Sequence, residues 1–197
     1  VQGFLKLPFQ AKTLGADLIS VSSHKIHGPK GAGALYISPR LKSFPALILG
    51  GGQEGGYRSG TEATPAIFGF AAAAEAGRQT FRQDIQREAE LLHSLCEKLS
   101  ALPGVKLNGA HEAPHILNVA IPGLPTQNSI NLLQDRGICV SAGSACAKGH
   151  RSHVLSAMGI DGETIDASFR ISLSRETTQE DVDLLAQAVE EALLPRI

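Results

Sequence analysis

The sequence predicts an α/β protein in two parts: residues 1–75 belong to a larger α/β sheet, and residues 76–197 form a linking helix and a small α+β domain. Three observations predict this class. Two short segments, 17–22 and 33–38, have the β-favouring residues of buried strands. A long helical pattern follows them, and after Pro103 the sequence alternates between short strand-like and helix-like segments. The first part cannot close a core alone, because one short hairpin is only marginally stable in water.

Composition excludes several classes of protein. With 43% hydrophobic and 19% charged residues, the 197-residue chain is neither disordered nor a coiled coil. A net charge of −1 favours neither nucleic acid nor an anionic membrane as partner, and no apolar run reaches the ~18 residues of a spanning helix. Three cysteines, an odd number, argue against a disulfide scaffold and for a reducing compartment, so we expect a cytoplasmic location.

The first part contains one short helix and one unusual loop besides its two strands. Residues 9–14 have a helical pattern that Gly15 is expected to end. Six glycines occupy the eleven positions from Gly50 to Gly60, which is too flexible for a strand or a helix. Because this segment is also too short for a domain linker, we interpret it as a functional loop.

The second part begins with a helix predicted over residues 65–99, in which Gly77 is a candidate bend or break. Its apolar stripe comprises Phe81, Ile85, Ala89, Leu92, Cys96 and Leu99. Strands are predicted at 105–107, 116–121, 138–141 and 169–173. Helices are predicted at 126–136, at 151–158 and after Thr177, which has the capping-box spacing with Glu180.

The segment Ser22-Ser-His-Lys25 stands where the first strand ends. A lysine held at such a position can lose its water and react as a neutral amine that forms a Schiff base. The hydroxyls and the histidine beside it suit a phosphate group. The alternative is an ordinary surface lysine after a strand, which the spacing alone favours. His24 and His27 have no further ligand at useful spacing, so no metal site is expected.

The glycine-rich loop closes with the sequence Arg-Ser-Gly-Thr. Successive backbone N–H groups between small residues can bind an anion, and Arg58 and Thr61 add a charge and a hydroxyl. An ordinary glycine-rich loop explains the pattern equally well.

Cys146 lies in a stretch of small residues between a predicted strand and a predicted helix. Lys148 and His150 nearby favour the thiolate, which is the reactive form of cysteine. The alternative is a small buried thiol, which the polar surroundings make less favoured. The other two cysteines are interpreted as structural, since Cys96 lies on the helical stripe and Cys139 in an apolar strand.

Arg170 is a charged residue within the apolar strand Phe169-Arg-Ile-Ser-Leu. Burying such a charge alone is costly, so it faces solvent, pairs with a protein carboxylate, or binds the carboxylate of a ligand. The spacing does not decide between these alternatives.

Taken in order, these motifs resemble the cysteine desulfurases of the NifS/IscS-like branch, which are class V aminotransferase-like enzymes of pyridoxal-phosphate fold type I. The segments that carry the resemblance are Val1-Gln2, Ser22 to Gly31, Gly50 to Thr61, Ile116 to Val119, Gly143 to Cys146, and Phe169 to Ser174. The resemblance implies that the chain is the last part of a large cofactor-binding domain followed by the small domain.

The resemblance also implies a role for each matching residue. Lys25 looks like the lysine that forms the Schiff base with pyridoxal phosphate, and Ser22 and His24 look like ligands of its phosphate. Gln2 is similar to the residue that hydrogen-bonds the cofactor's phenolic oxygen. Thr61 is similar to the residue that reaches the cofactor phosphate of a neighbouring subunit, which implies a homodimer. Cys146 looks like the nucleophile that takes sulfur, and Arg170 like the group that holds the substrate carboxylate.

The implied reaction removes sulfur from L-cysteine, giving alanine and a persulfide on Cys146 for transfer to an acceptor protein, either an iron–sulfur scaffold or a tRNA-thiolation protein. The alternatives are a selenocysteine lyase, an aminotransferase, or a non-catalytic sulfur-carrier or partner-binding fragment. The sequence departs from the family pattern at Ala63 and Ala142. It also lacks the N-terminal half, which supplies a His and an Asp to the cofactor ring. We therefore expect a C-terminal half that is inactive alone.

Overall fold

The computed structural model describes residues 1–143 and 151–193, which contain both helices and sheets, as the predicted α/β class requires. The chain divides into two compact units, Val1–Phe81 and Arg82–Ile197. The predicted domains 1–75 and 76–197 stay a prediction.

The first unit is built around a two-stranded antiparallel sheet. Helix α1 (Ala11–Leu14) ends at Gly15, whose φ of +64° is easily reached only without a side chain. Strand β1 (Leu18–Ser22) then pairs with β2 (Gly33–Ile37) along its whole length. The predicted strands are therefore confirmed, and the segment between them is the turn that carries Lys25.

The first unit buries little apolar surface by itself. Ile26 is the one large hydrophobic residue of 1–81 that is buried, whereas Leu47, Leu49 and Phe68 are each at least three-quarters exposed. This agrees with the expectation that two strands and a glycine-rich loop do not make a core.

Helix α2 (Thr64–Ser100) is continuous over 37 residues, and the boundary between the two units falls within it. Gly77 does not break it, because one helical glycine costs only about 1 kcal/mol, which good helix formers on both sides offset. The buried face differs in part from the predicted stripe: Ala89 is exposed. Leu92 and Leu99 of the predicted stripe are buried, together with Glu88, Leu91 and Leu95, which the stripe does not include. The apolar arc is thus wider than predicted, because it also includes Leu91 and Leu95, each one position before a member of the stripe.

The second unit contains a three-stranded antiparallel sheet in the order β3-β4-β5. Its strands are β3 (Lys106–Asn108), β4 (Ile116–Ala120) and β5 (Ser168–Ser172). Its helices after α2 are α3 (Thr126–Gln134), α4 (His153–Ala157), α5 (Gly162–Asp166) and α6 (Gln179–Ala188), the last extended by a π-helical turn at Val189–Leu193. The hydrophobic core of the unit lies between this sheet, α2, α3 and α6.

Two local predictions in this unit are wrong. Residues 138–141 do not form a strand, because Ile138 donates its N–H to Leu133 in the turn after α3 and only Ser141 pairs with β5. The capping box of α6 is one residue later than predicted: Thr178 is the N-cap, and its side chain and that of Asp181 each accept a backbone N–H. Asp, like Glu, can reach back to the N-cap backbone, which explains the shift.

Phe169→Ala is expected to lower the free energy of unfolding by about 3–5 kcal/mol, because it leaves a cavity in a close-packed core. Phe169 is fully buried on β5 opposite Val119, which is also fully buried. Urea unfolding of the complete protein, followed by circular dichroism, measures the change. The matched control is Leu184→Ala, since Leu184 is half-exposed on α6. Equal losses from the two variants would contradict the position of the core.

Candidate active site

A single 3-10 turn, Ser23–Ile26, carries the predicted reactive lysine directly after β1. Such a turn has three residues per turn, so positions three apart lie on the same side. Ser23 and Ile26 are three apart and both buried, whereas Lys25 between them is half-buried and His24 is exposed. The turn is therefore anchored on one side and presents its two basic residues on the other.

The structure brings Ser22 and His24 together, and Lys25 follows them in the turn. The Ser22 hydroxyl oxygen lies 2.8 Å from Nδ1 of His24, a hydrogen-bonding distance. When the hydroxyl donates to Nδ1, the ring proton is on Nε2, which can then donate to an anionic oxygen. A hydroxyl and an imidazole thus lie within hydrogen-bonding distance of each other, directly before the amine-bearing Lys25 in the sequence, and these three groups suit a phosphorylated aldehyde.

The glycine-rich loop is folded by its own backbone and by two polar side chains. Ile48 forms a parallel bridge with Arg58, and Gln53 accepts the N–H of Gly60. Five of its six glycines have positive φ: Gly50, Gly52, Gly55, Gly56 and Gly60. This explains why the loop needs glycine.

Within this loop the two predicted anion-binding side chains differ. One Arg58 Nη donates to the carbonyl oxygen of Ser59 at 2.7 Å, so this arginine stabilises the loop itself. Thr61 is exposed at the end of the loop. Gln2 is also exposed, in a separate turn at the beginning of the chain. Their contacts with a cofactor stay predictions.

Arg170 lies in the middle of β5 and is half-buried. Its Nε donates to the Ser172 hydroxyl at 3.2 Å, and no carboxylate in residues 1–143 or 151–193 forms an ion pair with it. Of the alternatives left open by the sequence, pairing with a described protein carboxylate is therefore not observed.

Arg170 also holds the segment that leads to Cys146. Its backbone N–H donates to the carbonyl oxygen of Ser141 at 2.6 Å, and the Ser141 N–H donates back at 3.1 Å. The sequence analysis missed this pairing, since the register between two distant segments has no local signal. Cys146, Lys148 and His150 lie outside the described residues.

The two other cysteines have different surroundings. Cys96 is partly buried against the core, and this burial raises the pKa of its thiol. Cys139 is exposed and does not lie in a strand, so its predicted place in an apolar strand is wrong. The reason is the absence of pairing at 138–140, which leaves this short stretch as loop.

Arg151, the first described residue after Cys146, is held by Asp166 at the end of α5. Its Nε and one Nη donate to the two carboxylate oxygens of Asp166 at 2.7 and 2.5 Å. The guanidinium lowers the pKa of the carboxyl group, which in turn raises the pKa of the arginine. The residues on both sides of the Cys146 segment are thus hydrogen-bonded, Ser141 to β5 and Arg151 to α5.

Asp166→Asn is expected to lower the urea midpoint of the complete protein slightly at pH 7 and by a smaller amount at about pH 3. The pKa of this carboxyl is lowered from 3.8 on folding. Its stabilising contribution is therefore present above that value and is lost as the pH falls through the lower, folded-state pKa. Urea unfolding of the wild type, Asp166→Asn, Arg151→Gln and the double variant checks this at both pH values. Additive effects of the two substitutions would contradict a direct pair.

Two further findings concern membrane-spanning helices and metal ligands among the described residues. None of their helices is long and apolar enough to span a bilayer. No three His, Cys, Asp or Glu side chains among residues 1–143 and 151–193 converge as metal ligands.

Comparison with known proteins extends these observations. The aminotransferase class-V family model matches residues 1–185. A cysteine desulfurase from Nostoc sp. is 38% identical over 97% of this chain, and the cysteine desulfurase IscS of Rickettsia typhi is 40% identical over 92%. This chain covers 49% and 45% of those proteins, so it spans about half the length of the curated relatives it matches. A NifS-like protein from Rickettsia africae has a TM-score of 0.86 and 36% identity, covering 98% of this chain and 51% of its own.

Proposed function

The chain belongs to the class V aminotransferase family, and on that basis we propose that the complete protein is a cysteine desulfurase that removes sulfur from L-cysteine with the help of pyridoxal phosphate. The observation that carries the proposal is the similarity to curated cysteine desulfurases over 97% of the chain. His24 and Lys25 of the turn Ser23–Ile26, together with Ser22 directly before it, offer groups that this activity can use, which supports the proposal.

The residues of this turn fit pyridoxal phosphate. Lys25 offers an amine for the aldehyde, and Ser22 and His24, only 2.8 Å apart, offer a hydroxyl and a ring N–H to the phosphate oxygens. The fit also depends on the buried Ser23 and Ile26, which fix the turn against the protein. When bound, the cofactor supplies an electron sink for the amino acid. Gln2 and Thr61 are proposed as further ligands.

Arg170 is proposed to bind the carboxylate of L-cysteine. A guanidinium can donate two parallel hydrogen bonds to a carboxylate, and the Arg170 Nη groups have no carboxylate partner among the described residues. Because its backbone also holds Ser141, the substrate's carboxylate would bind beside the start of the Cys146 segment.

Cys146 is proposed to act as a thiolate that attacks the sulfur of the bound substrate. A new S–S bond forms on Cys146 as the substrate's C–S bond breaks. The bonding electrons of that C–S bond stay with the carbon, which takes up a proton and leaves as alanine. The persulfide sulfur then passes to a thiol of an acceptor protein, for which an iron–sulfur scaffold and a tRNA-thiolation protein are the candidates.

A homodimer is proposed on the surface of the first unit. Leu47, Ile48 and Leu49 form an exposed apolar segment, with Leu47 and Leu49 more than four-fifths exposed. Such a segment favours burial against another protein surface. It is joined to the loop that ends at Thr61, the residue proposed to reach a neighbouring subunit.

The experiment is an assay of the complete protein, loaded with pyridoxal phosphate, on L-cysteine in the presence of a thiol reductant. Alanine and sulfide are expected in equal amounts. L-selenocysteine and a 2-oxo acid acceptor are tested in parallel. Consumption of the 2-oxo acid without sulfide would favour an aminotransferase, and activity confined to L-selenocysteine would favour a selenocysteine lyase. We expect no turnover from residues 1–197 alone.

A further inference from the structure

The segment that carries Lys25 is closed by a very close approach between Gly28 and Ser23. A Cβ added to Gly28 would lie 2.2 Å from the Ser23 hydroxyl oxygen, 3.1 Å from the Cβ of Ala73 and 3.2 Å from the Ser23 carbonyl oxygen. That carbonyl accepts the N–H of Gly28 at 3.0 Å. With the Ser23 hydroxyl in place, there is therefore no room for a side chain at position 28.

Ser23 itself is fully buried, and its hydroxyl has no hydrogen-bond partner within the described residues. Its backbone N–H donates to the carbonyl oxygen of Ala32, at the start of the return to β2. Lys25 thus lies in a loop that two backbone hydrogen bonds of Ser23 close, one from Gly28 to its carbonyl oxygen and one from its N–H to Ala32. Any displacement of Gly28 is transmitted to the turn through Ser23.

The next residue, Pro29, packs on a second glycine. A Cβ added to Gly69 of α2 would lie 2.9 Å from Cγ and 3.1 Å from Cδ of the Pro29 ring. Gly69 and Ala73 are four residues apart, so they lie on the same face of α2. Gly28 and Pro29 therefore lie directly against one face of this helix, where only very small residues fit.

We propose that Gly28 and Gly69 are positioning residues for Lys25: the absence of side chains at both positions lets the Lys25 segment lie against α2 at the height that presents its amine to the cofactor aldehyde. This inference rests on the proposed function. A methyl group at either position pushes the segment away from the helix. Because covalent capture depends on geometry at the ångström scale, the displacement is expected to reduce the affinity for pyridoxal phosphate more than the stability of the fold.

The test measures pyridoxal phosphate affinity of the complete protein by absorbance, and traps the cofactor on Lys25 with borohydride for peptide mass analysis. Gly28→Ala and Gly69→Ala are each expected to weaken binding about 10- to 100-fold. Ser23→Ala removes the atom that a Cβ at position 28 would meet at 2.2 Å. Added to Gly28→Ala, it is expected to restore binding to within about three-fold of the wild type.

Gly77→Ala is the matched control. It lies on the same helix, and its added Cβ would meet only the tip and Cβ of Leu5, at 3.2 and 3.9 Å, a flexible side chain that can move aside. Both Gly69→Ala and Gly77→Ala increase helix propensity. A loss of affinity in Gly69→Ala alone, with the melting temperature unchanged or raised, therefore reports the position of Lys25 and not the integrity of the fold.

The outcomes separate the two proposals. If the wild type traps no cofactor on Lys25, the proposed function is wrong and this inference falls with it. If the wild type binds and both Gly28→Ala and Gly69→Ala bind within about three-fold of it, the positioning role is wrong and the function stands. If Gly28→Ala does not fold, the comparison of pyridoxal phosphate affinity between Gly69→Ala and Gly77→Ala decides whether the positioning role is right.

Discussion

Cys146→Ala is expected to lower the release of alanine and sulfide from L-cysteine by about 1,000-fold or more in the complete protein. An alanine side chain has no lone pair with which to attack the substrate sulfur, and no other nucleophile is expected to replace the thiolate. The rate is measured under single-turnover conditions, with the bound pyridoxal phosphate quantified separately. Retained cofactor together with a lost rate would assign the effect to the nucleophile.

The other two cysteines are controls for this substitution. Cys96→Ala changes a partly buried thiol whose pKa is raised by burial, and it is expected to leave the rate unchanged. Cys139→Ala is the more demanding control, because this thiol is exposed. Sulfide release that survives Cys146→Ala but disappears in Cys139→Ala would reassign the nucleophile.

Lys25→Ala is expected to abolish covalent retention of pyridoxal phosphate and to reduce turnover of L-cysteine by about 1,000-fold or more. The amine it removes belongs to the half-buried Lys25, which directly follows His24 of the Ser22–His24 pair. The remaining hydroxyl and imidazole can still bind the phosphate. Weak, reversible binding without a borohydride-trapped adduct is therefore the expected behaviour.

Lys30→Ala is the control for this variant, since Lys30 is an exposed lysine five positions further along the same segment. It is expected to retain both the adduct and the rate. A trapped cofactor on Lys30 in the wild type, or an unchanged rate in Lys25→Ala, would contradict the role given to Lys25.

The fold class is predictable from the sequence, and the likeness to NifS-like structures confirms it. Strands β1, β2 and β4 have local signals, since each is a short β-favouring run bounded by turn residues. The false strand at 138–141 has the same composition, but only Ser141 finds a partner there. Strand pairing is a long-range property, so composition alone cannot separate these cases.

The candidate site also contains features with local sequence signals and features that depend on long-range packing. The contact between Ser22 and His24 follows from their separation by one residue at the end of β1, and Lys25 is the next residue in the turn; the roles of the three stay predictions. The pairing of Arg170 with Ser141 and the fit of Gly69 against Pro29 join residues at least 29 positions apart. These contacts depend on how α2 and β5 pack, which no local pattern specifies.

The hydrogen bonds of Ser141 and Arg151 limit the positions that Cys146 can reach. Cys146 is five residues from each of them, and a fully extended chain spans at most about 3.6 Å per residue. Whatever path the intervening residues take, the Cα of Cys146 stays within about 18 Å of both anchors while those bonds hold. The Cα of Cys146 is therefore confined to the overlap of two spheres around the ends of that segment. Under the proposed function, an acceptor must bring its own thiol to within the reach of the Cys146 side chain from that overlap, so partner choice becomes a question of reach as well as of surface chemistry.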